Sequence, residues 1–491
     1  MTLAPTLHWT ESGQPCSAQW RSERGAPPPK RVVLADDTMT ADAAYHLACE
    51  GTALLWRGDF HNARQLLQAL ARRIDKTPAR KSRKSAGALV AAKAPIDLFN
   101  QHRQAQAQRA RVLGMVLIPF NADYSIPLRR APDAKAACTE AWGRVRALTD
   151  DMGDGSSVST LRDLMGMISA HEWRKKGVEI AALGEPPHNR IHPHYGVFSP
   201  VRGEYIDLVA TAPLPAKLAT HADAPLVAFD IGTGTGVLSA VLVRRGITQV
   251  VATELDSRAL ACAMANLKQL GVLEQVNVVR ADLFPEGRAS LVVCNPPWLP
   301  ARPSSPIEHA VYDEGSRMLL GFLAGLADHL TPQGEGWLIL SDFAEHLGLR
   351  TRAELLSAIE QAGLTVLGRM DAKPVHAKAA DTSDPLHAAR AAETTSLWRL
   401  GAAAAPSKPE KVSQSSSPPA GGGALEGAVA AASLGAALFA AAGAGLWEAG
   451  LLVRCRGDPA DAPVRRSAPL KVLLVALVDR TGLVTSVRPV T

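Results

Sequence analysis

Between Leu226 and Trp298 the chain carries a glycine-rich turn, a series of strand-end acids and an Asn-Pro-Pro-Trp run. The turn reads Asp230-Ile231-Gly232-Thr233-Gly234-Thr235-Gly236 and opens a helical run from Val237 to Arg245. Glycine lets backbone bend sharply and lie against a ligand with no Cβ in the way. The helix N-terminus that follows offers unpaired N–H groups and a positive dipole end, suited to a carboxylate or phosphate. About twenty residues on stands Glu254, where a carboxylate that accepts from two ribose hydroxyls is expected. Asp282 closes a third apolar run and is placed to accept from an adenine amino group. Asn295-Pro296-Pro297-Trp298 closes a fourth, and in open α/β sheets ligands bind at the carboxyl ends of the strands.

The ordered set Asp230, Gly232, Gly234, Gly236, Glu254, Asp282 and Asn295-Pro296-Pro297-Trp298 resembles the class I S-adenosylmethionine-dependent methyltransferases. More narrowly it resembles their Asn-Pro-Pro-aromatic branch, the methyltransferase small and HemK-like enzymes, over roughly residues 190–400. The resemblance implies S-adenosyl-L-methionine as cofactor, bound through Asp230, the three glycines, Glu254 and Asp282. It also implies methylation of an amino nitrogen on RNA or on a glutamine side chain of a release-factor-like protein. Such a nitrogen is a poor nucleophile, because its lone pair is delocalised into the adjoining π system. If Asn295 Oδ1 and the Pro296 carbonyl accept its two N–H bonds, the lone pair is aimed at the methyl. Pro296-Pro297 holds a rigid turn with its carbonyls available, and Trp298 stacks on the planar substrate. Two other readings remain open. The turn is G-x-G-x-G, one residue short of the dinucleotide fingerprint of a nicotinamide-dependent oxidoreductase, and a non-catalytic RNA-binding protein would keep the same fold.

These residues need a doubly wound sheet to hold them. Apolar runs at Leu226–Asp230, Gln249–Thr253, Val276–Arg280 and Leu291–Cys294 predict four strands. Gly336–Ser341, Leu364–Met370 and Thr394–Leu400 predict three more, and the resemblance implies that the last is inserted antiparallel. The expected unit, residues 188–400, is a seven-stranded Rossmann-like sheet with helices on both faces. Its opening run Phe198-Ser199-Pro200-Val201-Arg202-Gly203-Glu204 resembles the segment before the sheet in HemK-like enzymes, where a proline, an arginine and a glutamate help close the cofactor pocket, and the resemblance implies Phe198, Pro200 and Arg202 as pocket wall. His188, His192 and His194 read as turn residues, because no cysteine or carboxylate set completes a metal shell; no metal is expected. The polar connection 371–393, with His376 and His387, is a candidate neighbour of the site.

Upstream, residues 1–37 read as a tail and 38–187 as a mainly helical accessory or substrate-recognition domain. Helices are expected after Thr40 (through Leu54-Leu55), at Phe60–Ile74, Asp97–Arg111, Pro132–Leu148 and Thr160–Lys176, with one strand within Val112–Phe120. Arg72 to Lys84 holds seven basic residues against one acid, either a phosphate-backbone contact or a solvated loop. Downstream, residues 401–424 have linker composition. Residues 425–491 form a low-complexity extension with a hairpin expected around Asp479-Arg-Thr-Gly482.

The 491 residues call for more than one domain, and 47% apolar content supports sizeable cores. The net charge of +6 permits an anionic partner. Six scattered cysteines without a C-x-x-C pair suit reduced thiols and a cytoplasmic location. The N-terminus lacks an apolar signal core. Gly427–Trp447 is long enough to span a bilayer but too rich in alanine and glycine to favour it, so membrane association is not expected.

Overall fold

The computed structural model describes residues 5–76, 93–145, 155–215, 226–303, 306–375 and 380–403, and the backbone of 473–478 and 484–490. The basic run beyond Lys76, the linker and Gly427–Trp447 lie outside these residues.

The first unit corrects the expectation of a tail and a mainly helical domain. It is built on a six-stranded mixed sheet. Its strands are β1 (Thr6–Glu11), β2 (Gln14–Trp20), β3 (Arg31–Ala35), β4 (Thr52–Trp56), β5 (Val116–Phe120) and β6 (Ser157–Thr160), in the order β1-β2-β6-β5-β4-β3. Three of these strands lie in the stretch that reads as a tail. Gly51, left-handed at φ +81, ends α1 (Ala41–Cys49) and turns the chain into β4, so Leu54 and Leu55 belong to a strand and not to the expected helix. The helices that do form obey their local signals. Thr40 accepts from Ala43 N at the start of α1, and Thr160 accepts from Asp163 N at the start of α5 (Leu161–Lys176). α2 (Phe60–Lys76) buries Ala63, Leu66, Leu67 and Leu70 on one face. α3 (Pro95–Leu113) and α4 (Lys135–Trp142) complete the unit; α4 ends at Gly143, short of the predicted Leu148.

A two-residue pair, β7 (Val178–Glu179) with β8 (Arg190–Ile191), leads into the second unit and its α6 (Glu204–Thr211). There follow β9 (Val227–Ile231), α7 (Val237–Arg244), β10 (Gln249–Glu254), α8 (Ser257–Gln269), β11 (Val276–Arg280) and β12 (Ala289–Cys294). Then come α9 (Arg317–His329), β13 (Leu330–Ser341), α10 (Phe343–His346), α11 (Arg352–Gln361), β14 (Leu364–Ala372), α12 (His387–Ala392) and β15 (Thr395–Ala402). The seven strands order as β11-β10-β9-β12-β13-β15-β14. β15 runs antiparallel between β13 and β14, and the other neighbours are parallel. Strand order reverses between β9 and β12, which opens a crevice at their carboxyl ends. Core residues pack on both faces: Val237, Val241 and Leu267 on one, Phe322, Leu323 and Leu326 on the other. The expected C-terminal hairpin forms as β16 (Leu473–Val478) and β17 (Val484–Val490), paired antiparallel. No helix among the described residues is long and apolar enough to cross a membrane.

Candidate active site

The crevice is framed by the turn after β9 and the run after β12. These strands pair in parallel register up to Ile231 opposite Cys294, so the next residues, Gly232 and Asn295, leave the sheet side by side. Neighbouring strands lie about 4.8 Å apart, so the two loops open onto one edge.

The three glycines serve different contacts. All are left-handed, with φ +72 at Gly232, +56 at Gly234 and +81 at Gly236. A Cβ on Gly236 would stand 3.2 Å from Leu267 Cγ and 3.4 Å from Ala263 Cα, both on α8. One on Gly232 would meet the flexible end of Met318 at 2.5 Å. At Gly234 a Cβ would find no atom nearer than Gly232 O at 4.0 Å, so this residue offers bare backbone to the crevice.

Asp230 lies beneath the turn, 1% exposed. Its Oδ2 accepts from Thr233 Oγ1 (2.7 Å), Ser239 Oγ (2.6 Å) and Ser239 N (3.0 Å). Burial pushes its carboxyl up from the usual range, opposed by the hydrogen bonds from Ser239 and Thr233. This is the geometry of a brace that sets the turn from inside.

Glu254, at the end of β10, accepts from Gly234 N at 3.2 Å, Leu255 N at 2.8 Å and Asp256 N at 3.1 Å. Thr253 O receives the N–H groups of Gly232 (3.0 Å) and Thr233 (2.9 Å). The acid and the glycine turn are therefore one hydrogen-bonded unit. Ala281 N donates to Glu254 O at 3.3 Å, which sets Asp282 beside it. Asp282 is exposed and forms an ion pair with Arg317 through Oδ2.

On the opposite side, Trp298 Nε1 donates to Asn295 Oδ1 at 2.9 Å. Because an indole N–H can only donate, this bond fixes which way the Asn295 amide faces. The Arg202 guanidinium lies over the Trp298 ring, 5.6 Å from its centroid. It pairs with Glu393 Oε1 at 3.0 Å, and the same oxygen accepts from Ser341 Oγ at 2.7 Å. Glu393 is wholly buried. Glu204, two residues after Arg202, is buried with neither carboxylate oxygen partnered among the described residues. Pro296 is buried, Pro297 and Trp298 half-buried.

The expected site residues thus fall at one sheet edge, with Arg202 among them. Sequence reasoning missed Glu393 and Ser341. The polar connection pointed to the right neighbourhood but to different residues: His387 begins α12 and His376 lies outside the described residues. A contact from the first unit was also missed. Arg103 of α3 donates to the carbonyl of Arg302 at 2.7 Å and lies 4.4 Å over the Tyr312 ring, reaching the proline-rich loop that follows Trp298.

Residues 188–354 match the model of the methyltransferase small domain. The chain is 44% identical over 69 residues to a ribosomal protein L11 methyltransferase of Pelotomaculum thermopropionicum, covering 14% of this chain and 22% of that protein. It is 26% identical over 163 residues to a tRNA1(Val) (adenine(37)-N6)-methyltransferase of a Shewanella species (31% and 66%). It is 30% identical over 160 residues to a release factor glutamine methyltransferase of Cereibacter sphaeroides (30% and 56%). The chain spans less than two thirds of the length of these relatives.

Proposed function

We propose that this chain, whose residues 188–354 carry the methyltransferase small domain, is an S-adenosylmethionine-dependent N-methyltransferase. Its target is an amino nitrogen conjugated to a planar group, on an RNA base or a protein glutamine. The observation that carries this reading is the register that sets Gly232 and Asn295 side by side at the sheet's switch point. The relatives named for methylating adenine N6 and glutamine support the target class, since both nitrogens are planar and poorly nucleophilic.

The residues present fit the cofactor. Gly234 leaves an opening where a side chain would otherwise stand, next to the α7 N-terminus. Glu254 and Asp282 line the adjoining strand ends, where ribose hydroxyls and an adenine amino group would find acceptors. Asp230 acts through the turn it braces. When bound, the cofactor supplies an electrophilic methyl group on a sulfonium.

The rest is positioning by the chain itself. Asn295 Oδ1 has a second lone pair beyond the one used by Trp298, and it accepts one N–H of the target nitrogen. The Pro296 carbonyl accepts the other, so the nitrogen lone pair faces the methyl and the developing positive charge meets two oxygens. Trp298, backed by Arg202, offers its ring to the planar target.

The test is Asn295→Ala assayed with tritiated cofactor on total RNA and protein extract, alongside calorimetry with S-adenosylhomocysteine. Transfer is lost while S-adenosylhomocysteine binding is retained; a variant that still transfers at full rate when saturated contradicts the role of Asn295. Nuclease and protease digestion of the wild-type product distinguishes the RNA target from the protein target.

A further inference from the structure

At the seam between the two units lies a cavity of about 270 Å³ that shares no lining residue with the crevice just described. Its walls are His171, Arg174 and Lys175 on α5, Glu140 on α4, His192 and His194, and the Asn266–Gln269 side of α8. None of these residues belongs to the proposed methyl-transfer machinery.

The charge of the wall is positive. Its one carboxylate, Glu140, is occupied on both oxygens: Oε2 by His171 Nδ1 at 2.6 Å, and Oε1 by Arg174. Lys175 pairs with Glu172 at 3.0 Å, but both side chains are well exposed, and such a pair holds its lysine weakly. Arg174 and Lys175 together outweigh this single carboxylate: Arg174 balances Glu140, and Lys175 is the surplus cation of the wall.

The histidines are built in rather than incidental. His192 Nδ1 donates to Arg174 O at 2.7 Å, and its Nε2 receives the Gln269 amide at 2.9 Å. With both ring nitrogens engaged, His192 has none to offer a metal and serves as scaffold. Its ring occupies the space beside Gly177, where a Cβ would come within 2.7 Å of it. His194 is different. Its backbone N–H is anchored on Cys262 Sγ at 3.3 Å, while its side-chain Nε2 is buried without a partner. A buried ring nitrogen left unpaired is costly unless something in the cavity pairs with it.

We propose that this cavity is a binding site for an oxyanion of the phosphate class. Arg174 and Lys175 supply its counter-charge, and the Nε2–H of His194 donates to it. Guanidinium and ammonium groups together with a neutral N–H donor are the usual set for a phosphoryl group. At about 30 Å³ per water the cavity holds roughly nine waters, enough for a phosphate that carries a substituent. The phosphate is either free in solution or part of a nucleic-acid backbone. The assignment is independent of whether the second unit transfers methyl groups.

The test is calorimetric titration of the full chain with inorganic phosphate at low ionic strength, on wild type, His194→Leu and Lys175→Gln, with melting curves recorded for each. Wild type binds one phosphate saturably, and each variant binds about tenfold more weakly with no loss of melting temperature, as expected for loss of one charge-assisted hydrogen bond. No saturable binding to wild type, or wild-type affinity in both variants, overturns the proposal. A second arm adds a short single-stranded oligoribonucleotide. Displacement of phosphate by the oligonucleotide assigns the site to a phosphodiester, and retained phosphate binding without displacement assigns it to free phosphate.

Discussion

The indole N–H of Trp298 points at Asn295 Oδ1 from 2.9 Å, so the tryptophan orients the oxygen proposed to grip the substrate. Its ring and its nitrogen can be separated by mutation. Trp298→Phe keeps an aromatic face but removes the donor, so the Asn295 amide is free to turn. A neutral hydrogen bond contributes about 0.5–1.5 kcal/mol, so kcat is expected to fall by roughly two- to twelvefold, with S-adenosylhomocysteine affinity unchanged. Trp298→Ala removes the stacking face as well and raises KM for the methyl acceptor. Steady-state kinetics on both variants separates the two contributions; identical kinetics would sink the idea that the indole nitrogen matters.

The glycine turn makes a second, sharper contrast. Gly234→Ala and Gly236→Ala both force an L-residue into left-handed backbone, at a cost of about 1 kcal/mol. Only Gly236→Ala also drives a methyl into Leu267 and Ala263 of α8. It is expected to lower the melting temperature distinctly more than Gly234→Ala. Gly234→Ala instead places its methyl in the crevice and weakens S-adenosylhomocysteine binding in a protein that is still folded. Calorimetric binding and thermal melts on the pair test this directly, and the reverse ranking in melting temperature would refute it.

Much of this was legible in the sequence. β9 to β12 are apolar runs that each stop at a polar residue, and their order along the chain already implied one sheet edge lined by the glycines, Glu254, Asp282 and Asn295. The first sheet was not legible, because its strands lack a clean signal. β1 alternates exposed and half-buried positions around a single fully buried Leu7, and β4, buried at every position, follows α1 so closely that its leucines continue the helical pattern. Gly51 between them was the stop signal. The Arg202–Glu393 pair joins residues 191 positions apart, and no local periodicity reports a contact of that kind.

Glu204 yields a prediction with a defined pH dependence. Burial raises its carboxyl above the ordinary value of 4.5; nearby Arg202 opposes the shift and Glu393 adds to it. A carboxyl whose native pKa exceeds its unfolded one binds more protons when folded, so its contribution to stability is full below about pH 4.5 and declines as pH climbs through the raised native value. Glu204→Gln removes that decline. The variant should match wild type in melting temperature at pH 4 and exceed it at pH 8. A variant less stable than wild type at pH 8 would mean that the ionised carboxylate is favourably held.

The first unit reaches the loop after Trp298 through buried side chains of α3: Phe99 packs in one cluster with Leu299 and Tyr312, and Arg103 adds the polar contact. Arg103 on α3 donates to Arg302 O at 2.7 Å and lies 4.4 Å over Tyr312, whose neighbours Val311 and Asp313 exchange backbone hydrogen bonds with Leu299. Leu299 directly follows Trp298, so α3 holds the loop that continues from the Asn-Pro-Pro-Trp run. Arg103→Met retains the long apolar stem and much of the packing against Tyr312 but loses the guanidinium. With the polar tie to Arg302 lost and only the apolar contacts of α3 left, kcat/KM for the macromolecular acceptor is expected to drop about tenfold, the equivalent of one hydrogen bond from a charged donor. Affinity for S-adenosylhomocysteine should stay at the wild-type value, because Glu254 and the glycine turn lie on strands that α3 does not touch. A fall in cofactor affinity without a fall in kcat/KM would place the influence of Arg103 on the other side of the crevice.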